Sequence, residues 1–222
     1  LSRDTNLVGH WRFDEASGNA LDYSGNGYHA TVNGPERVIT IGTNKAMYYD
    51  ANGLDYIVTP SFGIINTGTL TINTWMKSQI QNFSQSIMGE AENSFITGFI
   101  MLYRPGTSNH LYYRYGTGTT NINGPFNDFF QNLDNQWINI VTICDYTNRT
   151  LKAYLNGTYS GTVTNLATPI FPSASKAKYI GAYSSAEYRI SNGYLDDMRI
   201  YNRALSASEI SQIYNQTKSN YQ

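Results

Sequence analysis

The most informative segment of the chain is Gly193-Tyr-Leu-Asp-Asp-Met-Arg-Ile-Tyr-Asn-Arg-Ala-Leu-Ser-Ala-Ser-Glu-Ile210, which reads as a strand running directly into a helix. Alternation with period two predicts that Asp196, Met198 and Ile200 lie on one buried face of the strand. A carboxylate buried without a partner is costly. We therefore expect a cation or a dense set of hydrogen-bond donors beside Asp196.

The helix that follows has a clear start signal. Ser206 is a good N-cap residue, and Glu209 three positions later completes a capping box. Ile210, Ile213 and Tyr214 then fall on one face of the helix. These features predict one short C-terminal helix that packs against the rest of the molecule.

The remainder of the chain predicts strands. Short runs of β-branched and aromatic residues alternate with Gly, Asn, Asp and Pro between residues 7 and 202, as in all-β sandwiches. Asn156-Gly157 is the best hairpin signal, and the run 137–144 is apolar on both faces, which predicts a central strand. No composition shift divides the chain, so residues 1–222 are expected to form a single domain.

Composition narrows the possible partners. With 14% charged residues and a net charge of −1, the chain has no basic surplus that would attract nucleic acid. No apolar run approaches the roughly 18 residues of a membrane span, so we expect no membrane insertion. The single cysteine, Cys144, lies in an apolar run and is expected to be a buried thiol. The chain begins with Leu and contains no signal peptide, which suggests a piece of a larger, processed protein or assembly.

Five segments together resemble a known family. They are Leu7-Val-Gly-His-Trp-Arg-Phe-Asp-Glu15, Asp22-Tyr-Ser-Gly-Asn-Gly-Tyr-His29, Leu70-Thr-Ile-Asn-Thr-Trp75, Trp137-Ile-Asn-Ile-Val-Thr-Ile143 and Leu151-Lys-Ala-Tyr-Leu-Asn-Gly157. In this order they resemble the strands and turns of laminin-G-like jelly-roll domains of the concanavalin A-like lectin/glucanase superfamily. The resemblance implies an all-β, two-sheet antiparallel β-sandwich (jelly roll) whose first and last long strands pair.

The resemblance also suggests a metal site. It places the loop 22–29 beside the last strand, where Asp22 and Asn26 would meet Asp196 and bind a structural calcium ion. Calcium prefers carboxylate, amide and backbone carbonyl oxygens, and the carbonyls of Tyr28 or His29 could complete its shell. The alternative is a local Asx-type turn, in which Asp22 and Asn26 bond nearby amides and no ion is needed.

Aromatic residues suggest a sugar-binding surface. Tyr112, Tyr183 and Tyr188 lie in or beside polar loops, and Arg114 can donate hydrogen bonds to sugar hydroxyls. Tyrosine offers an apolar ring for a sugar face and a polar tip. Period two puts Tyr112 and Arg114 on the same face of their strand. The alternative is that these tyrosines only cover the sheet.

The sequence argues against catalysis. Retaining glucanases of the superfamily that the chain resembles carry a Glu-x-Asp-x-x-Glu or Glu-x-Asp-x-Glu run on one strand, and this chain has neither. Glu90-x-Glu92 has the right spacing for one face but lacks the third carboxylate. We therefore expect a protein that is not an enzyme.

Two functions fit these observations. The first is a non-catalytic carbohydrate-binding or adhesion module of an extracellular or surface protein, stabilised by calcium, with a glycan or glycoprotein as its partner. The second is a structural or protein-interaction domain of a cell envelope or virus particle without a sugar site. The loop tyrosines favour the first, and the lack of a long tryptophan platform favours the second.

Overall fold

A computed structural model gives the architecture of most of the chain. The structure describes residues 4–40, 43–50, 54–63, 68–79, 84–90, 99–104, 110–116, 121–164, 166–167, 176–184 and 189–221.

The described residues form fifteen strands, one α-helix and one 3₁₀ turn. The strands are β1 Leu7–Trp11, β2 Thr31–Asn33, β3 Glu36–Ile39, β4 Lys45–Tyr49, β5 Tyr56–Val58, β6 Thr69–Ser78, β7 Gln85–Glu90, β8 Phe99–Arg104, β9 His110–Gly116, β10 Asn121–Phe126, β11 Ile138–Asp145, β12 Thr150–Leu155, β13 Thr158–Val163, β14 Lys178–Ile180 and β15 Gly193–Tyr201. The helix α1 spans Ala207–Thr217, and the 3₁₀ turn spans Lys218–Asn220.

The strands form two antiparallel sheets that face each other. The first has the order β13-β12-β11-β6-β15-β4-β3, with β1 also paired to β15, and the second has the order β10-β9-β8-β7-β14-β5-β2. One hydrophobic core joins the inner faces, with Ile72 and Ile140 from the first sheet and Ile87 and Leu111 from the second. The predicted two-sheet β-sandwich is confirmed, and so is the pairing of the first and last long strands, β1 and β15.

The predicted local signals are also present. Asn156 and Gly157 have φ angles of 50° and 76° and connect β12 to β13 in a two-residue turn, because both positions need the left-handed conformation that Asn and Gly tolerate best. The strand β11 lies between β12 and β6 and is buried along almost its whole length, as expected for a central strand.

The C-terminal helix covers the outer face of the first sheet. Ile210 is fully buried in a second apolar cluster with Val141, Ile143, Tyr154, Tyr201 and Leu205. Beyond the helix, the Tyr221 ring stacks on Trp75 of β6 with 4.1 Å between ring centroids. The first sheet is therefore buried on both faces near its centre. Among the described residues, α1 is eleven residues long, and no helix is both long and apolar enough to cross a membrane.

The last strand departs from regular alternation at one point. Its pairing shifts between Asp196 and Arg199, and Asp197 has a φ angle of 49°, so the strand contains a β-bulge. Leu195, Met198 and Ile200 consequently face the core, whereas Asp196 bonds to groups on the opposite face. The predicted alignment of Asp196 with Met198 and Ile200 is wrong, because the bulge adds a residue between them.

We predict that Ser206→Ala lowers the free energy of unfolding by about 1 kcal/mol. Its hydroxyl accepts a hydrogen bond from the Glu209 N–H, and the Glu209 carboxylate accepts one from the Ser206 N–H. Urea titration measures the change. Ser208→Ala, at an exposed position in the first turn, is the matched control and should leave the midpoint nearly unchanged. Equal midpoints for wild type and Ser206→Ala would show that the capping box does not stabilise the helix.

Candidate functional site

The bulge in β15 lies at a gap between two neighbouring strands. β4 pairs with residues 193–195 of β15, and β1 pairs with residues 198–201. Because both strands lie along β15 and neither pairs with Asp196 or Asp197, the end of β1 and the start of β4 meet at the bulge. A cavity of about 220 Å³ opens there. It is lined by His10, Arg12, Asp14, Asn44, Asp196, Asp197, Arg199, Thr217, Asn220 and Tyr221.

Asp196 forms the inner wall of this cavity. Its Oδ2 accepts hydrogen bonds from the Tyr221 hydroxyl at 2.7 Å and from the Asn44 amide at 3.1 Å. Its Oδ1 accepts one from the Asp197 N–H at 2.7 Å. The expected dense set of donors is therefore present, and it comes from three separate segments of the chain.

A second wall is formed by Asp197, Arg199 and His10. Arg199 donates to both carboxylate oxygens of Asp197, from Nε at 3.2 Å and from Nη2 at 2.8 Å. The His10 Nε2 lies 2.6 Å from Asp197 Oδ1. These contacts fix the bulged residue against β1, so the polar wall is held in a defined arrangement.

The mouth of the cavity is more exposed. Arg12 and Asp14 form an ion pair of 3.0 Å, with 51% and 33% of their side-chain surfaces exposed. The Arg12 guanidinium also lies 5.1 Å from the centre of the Tyr23 ring, and the His10 ring meets the same tyrosine edge-on. Tyr23 is 46% exposed. A partly open aromatic ring thus lies next to a cavity rich in donors and acceptors.

The pKa values of the two adjacent carboxyl groups, Asp196 and Asp197, are shifted in opposite directions. Burial raises the pKa of Asp196 well above its ordinary value, and its three donors only partly oppose this. Burial would also raise the pKa of Asp197, but the charge of Arg199 and the hydrogen bond from His10 outweigh it and lower that pKa. The site therefore contains one carboxyl that resists ionisation and one that is held ionised.

Asp22 and Asn26 lie on the other side of β1 from Asp196. Trp11 of β1 is paired with Met198 of β15 along one edge and with Asp22 along the other. The Asp22 carboxylate accepts from the backbone N–H groups of His10, Ser24 and Tyr28 and from the Ser24 hydroxyl. The three predicted ligands are therefore not brought together, because a whole strand separates Asp22 and Asn26 from Asp196.

These contacts do not fit the predicted calcium set. A carboxylate has about four lone-pair positions, and the four donors at Asp22 occupy them. They also lower its pKa against the effect of burial, so the carboxylate is stable without an ion. The Asn26 amide nitrogen donates to the carbonyls of Leu7 and Val8. The alternative of a local turn around Asp22 agrees with the structure, and a calcium requirement stays a prediction.

The predicted aromatic residues have different surroundings. In β9, Leu111, Tyr113 and Tyr115 are buried, whereas Tyr112 and Arg114 are half-buried on the opposite face, so the predicted alternation of this strand is correct. The Tyr112 hydroxyl lies 2.8 Å from Nδ1 of His110 on the same face.

Tyr183 and Tyr188 are the two remaining tyrosines of the predicted sugar site. Tyr183 is only 2% exposed, so its predicted role as a stacking surface is wrong. Its ring packs so close to Gly89 that a Cβ there would lie 2.9 Å from a Tyr183 ring carbon. Tyr188 lies outside the described residues.

Sequence reasoning missed most of the cavity. His10, Arg12, Asn44, Arg199 and Tyr221 come from distant segments, and no local motif links them. The one signal was the pair Asp196-Asp197 inside a strand, where two adjacent carboxylates conflict with regular alternation and suggest a bulge.

Comparison with known proteins identifies the family. Residues 50–211, well over half of the chain, match a family model described as the concanavalin A-like lectin/glucanases superfamily. The chain therefore belongs to this superfamily, and the resemblance seen in the sequence is confirmed. No curated protein gives a sequence match to the chain.

Several solved structures share the fold at low sequence identity. Domain 4 of AbnA, an extracellular arabinanase from Geobacillus stearothermophilus solved in complex with arabinotriose, is 21% identical, with a TM-score of 0.73 over 94% of this chain and 98% of that domain. The binding domain of Paraclostridial Mosquitocidal Protein 1 is 18% identical, with a TM-score of 0.73 over 97% of this chain and 53% of that one.

A botulinum neurotoxin type C structure, from a study of its dependence on two ganglioside molecules for cell entry, is 13% identical, with a TM-score of 0.73 over 96% of this chain and 52% of that one. This chain spans about half the length of the toxin binding domains that it matches.

We predict that Asp196→Asn gains stability relative to wild type as pH rises from 4 to 8. A carboxyl whose pKa is raised in the folded state binds its proton more tightly there than in the unfolded chain. Its contribution to stability is therefore lost as pH rises through the interval between the two pKa values. Each unit of difference amounts to about 1.4 kcal/mol. Urea titrations across this range measure the difference in the free energy of unfolding between the variant and wild type, with Asp128→Asn, an exposed position, as the control. If this difference stays constant or moves in favour of wild type as pH rises, the burial of an ionisable Asp196 is contradicted.

Melting temperatures with and without calcium test the predicted calcium site. If a structural ion binds the folded chain, excess calcium should raise the melting temperature above that in chelator, because binding to the folded state alone adds RT ln(1 + [L]/Kd) to its stability. The variants Asp22→Asn and Asp196→Asn separate the two sides of β1: only the variant that removes a true ligand should lose the calcium effect. Identical melting curves with calcium and with chelator would dismiss the ion.

Proposed function

We propose that this chain is a non-catalytic carbohydrate-binding module that holds a sugar in the cavity at the β15 bulge, beside Tyr23. The observation that carries the proposal is the combination of an open polar cavity and an exposed aromatic ring at its mouth. Sugars present both features in complementary form, since their hydroxyls donate and accept hydrogen bonds while their C–H faces are apolar.

The cavity offers both acceptors and donors for the hydrogen bonds of a sugar hydroxyl. The carboxylate of Asp14 accepts hydrogen bonds, and the guanidinium of Arg12 donates them. Asn220 offers both a donor and an acceptor. Because the inner groups already bond to one another, little reorganisation is needed when a ligand arrives, and this lowers the cost of binding.

The fold neighbours support this class of function. One is the arabinanase domain solved with arabinotriose, and another is a toxin whose cell entry depends on gangliosides. The first is a domain of an extracellular enzyme and the second belongs to a toxin that enters cells, which supports an extracellular or surface location and a larger parent protein for this chain.

The face of β9 that carries Tyr112 and Arg114 offers a second surface for a sugar. Its half-buried tyrosine and guanidinium keep the pairing expected from the sequence. The bulge cavity is favoured over it because Tyr23 is more open and because the cavity has several polar groups within one enclosed space.

We predict that Tyr23→Ala weakens sugar binding by about tenfold, the effect of losing about 1.4 kcal/mol of stacking. The glycan is first found on an immobilised panel that includes arabinotriose and ganglioside headgroups, and its affinity is then measured by calorimetry. The melting temperature should change little because the side chain is 46% exposed.

Tyr159→Ala is the matched control, since Tyr159 is 54% exposed on β13 and away from the cavity. Tyr112→Ala tests the competing surface on β9. If Tyr112→Ala loses sugar binding while Tyr23→Ala binds like wild type, the site lies on β9. No binding to any glycan on the panel would overturn the proposed function and favour a structural or protein-interaction domain.

A further inference from the structure

The charges around the bulge cavity indicate what kind of sugar it takes. The described residues that line it contribute three carboxyl groups, those of Asp14, Asp196 and Asp197, and two guanidinium groups, those of Arg12 and Arg199. Among these residues, the two positive charges are therefore matched by at least as many carboxyl groups.

Each guanidinium is already committed to a carboxylate. Arg199 holds Asp197 through two contacts of 2.8 and 3.2 Å, deep in the cavity and with only 16% of its side chain exposed. Arg12 holds Asp14 at 3.0 Å at the mouth. An incoming anion would have to displace one of these carboxylates or lie next to it.

Among the described lining residues, one further side chain can become positive, and it also has a partner. The His10 Nε2 lies 2.6 Å from Asp197, so any charge on this ring faces that carboxylate rather than the open space. The remaining lining groups, on Asn44, Thr217, Asn220 and Tyr221, are neutral amides and hydroxyls. Such groups match sugar hydroxyls.

We propose that the cavity selects neutral oligosaccharides and rejects anionic ones such as uronates and sialylated glycans. This inference rests on the proposed function, and it assigns the ligand class of the same site. Placing like charges next to each other at an interface opposes binding and excludes the wrong partner. The Asp14 carboxylate lies at the mouth, 33% exposed, beside the 51% exposed Arg12, so an anionic sugar that approaches this guanidinium also meets a negative charge.

The test compares neutral sugars with anionic sugars of related structure. Pairs of neutral and anionic probes, galactotriose with trigalacturonate and lactose with sialyllactose, are added to the panel and measured at low and high salt. The neutral member of a bound pair should bind at least about tenfold more tightly at low salt. The preference should shrink as salt screens the exposed carboxylate.

The variant Asp14→Asn tests whether the Asp14 carboxylate causes the preference for neutral sugars. Removing this carboxylate leaves the Arg12 guanidinium able to pair with an anionic sugar, so the ratio of anionic to neutral affinity should rise about threefold to tenfold. Asp128→Asn, an exposed carboxylate outside the cavity, should leave that ratio unchanged.

Failure of the neutral selection and failure of the proposed carbohydrate-binding function give different results. If the anionic member of a pair binds as tightly or more tightly, the neutral selection is wrong while the carbohydrate-binding function stands. An unchanged ratio in Asp14→Asn also overturns the assignment of selectivity to the mouth. If no glycan on the whole panel binds, neutral or anionic, the proposed function fails and this inference fails with it.

Discussion

The bulge at Asp196 and Asp197 is the constraint on which the candidate site depends. A regular strand would send one of these carboxylates into the apolar core, where its burial would be prohibitive. The left-handed conformation of Asp197 instead keeps Leu195 and Met198 in the core and leaves both acids outside it. The cost of this conformation is offset by hydrogen bonds to each carboxylate, from Tyr221 and Asn44 on one side and from Arg199 and His10 on the other.

The same contacts connect distant segments of the chain. Tyr221 reaches Asp196 because its ring stacks on Trp75, and Trp75 in turn donates to the Thr217 hydroxyl at 3.0 Å. The C-terminal segment is thereby fixed on the outer face of the first sheet and forms one side of the cavity. A site built in this way is rigid at its inner wall and adjustable at its mouth, where the Arg12 and Asp14 side chains are exposed.

The sequence predicted the fold well and the site poorly, for physical reasons. Sheet class, the Asn156-Gly157 hairpin and the helix cap at Ser206 depend on neighbouring residues, so local patterns reveal them. The bulge depends on the balance between core packing and the burial of two acids, and period two alone gave the wrong face for Asp196. The sequence predicts that Asp22 meets Asp196 at a calcium site, but it does not show that a strand separates them or that four donors surround the Asp22 carboxylate. Calcium binding itself stays a prediction. Tyr183 follows a strand beside polar residues, yet close packing against Gly89 buries its ring.

The proposed sugar site is the cavity at the bulge, bordered by Tyr23. A crystal structure of the chain with its tightest-binding oligosaccharide is the decisive measurement. We expect a sugar ring against the exposed face of Tyr23, with hydroxyls within hydrogen-bond distance of Asp14 or Asn220. A sugar found on the Tyr112 face of β9, with the cavity empty in the same crystal, would contradict it.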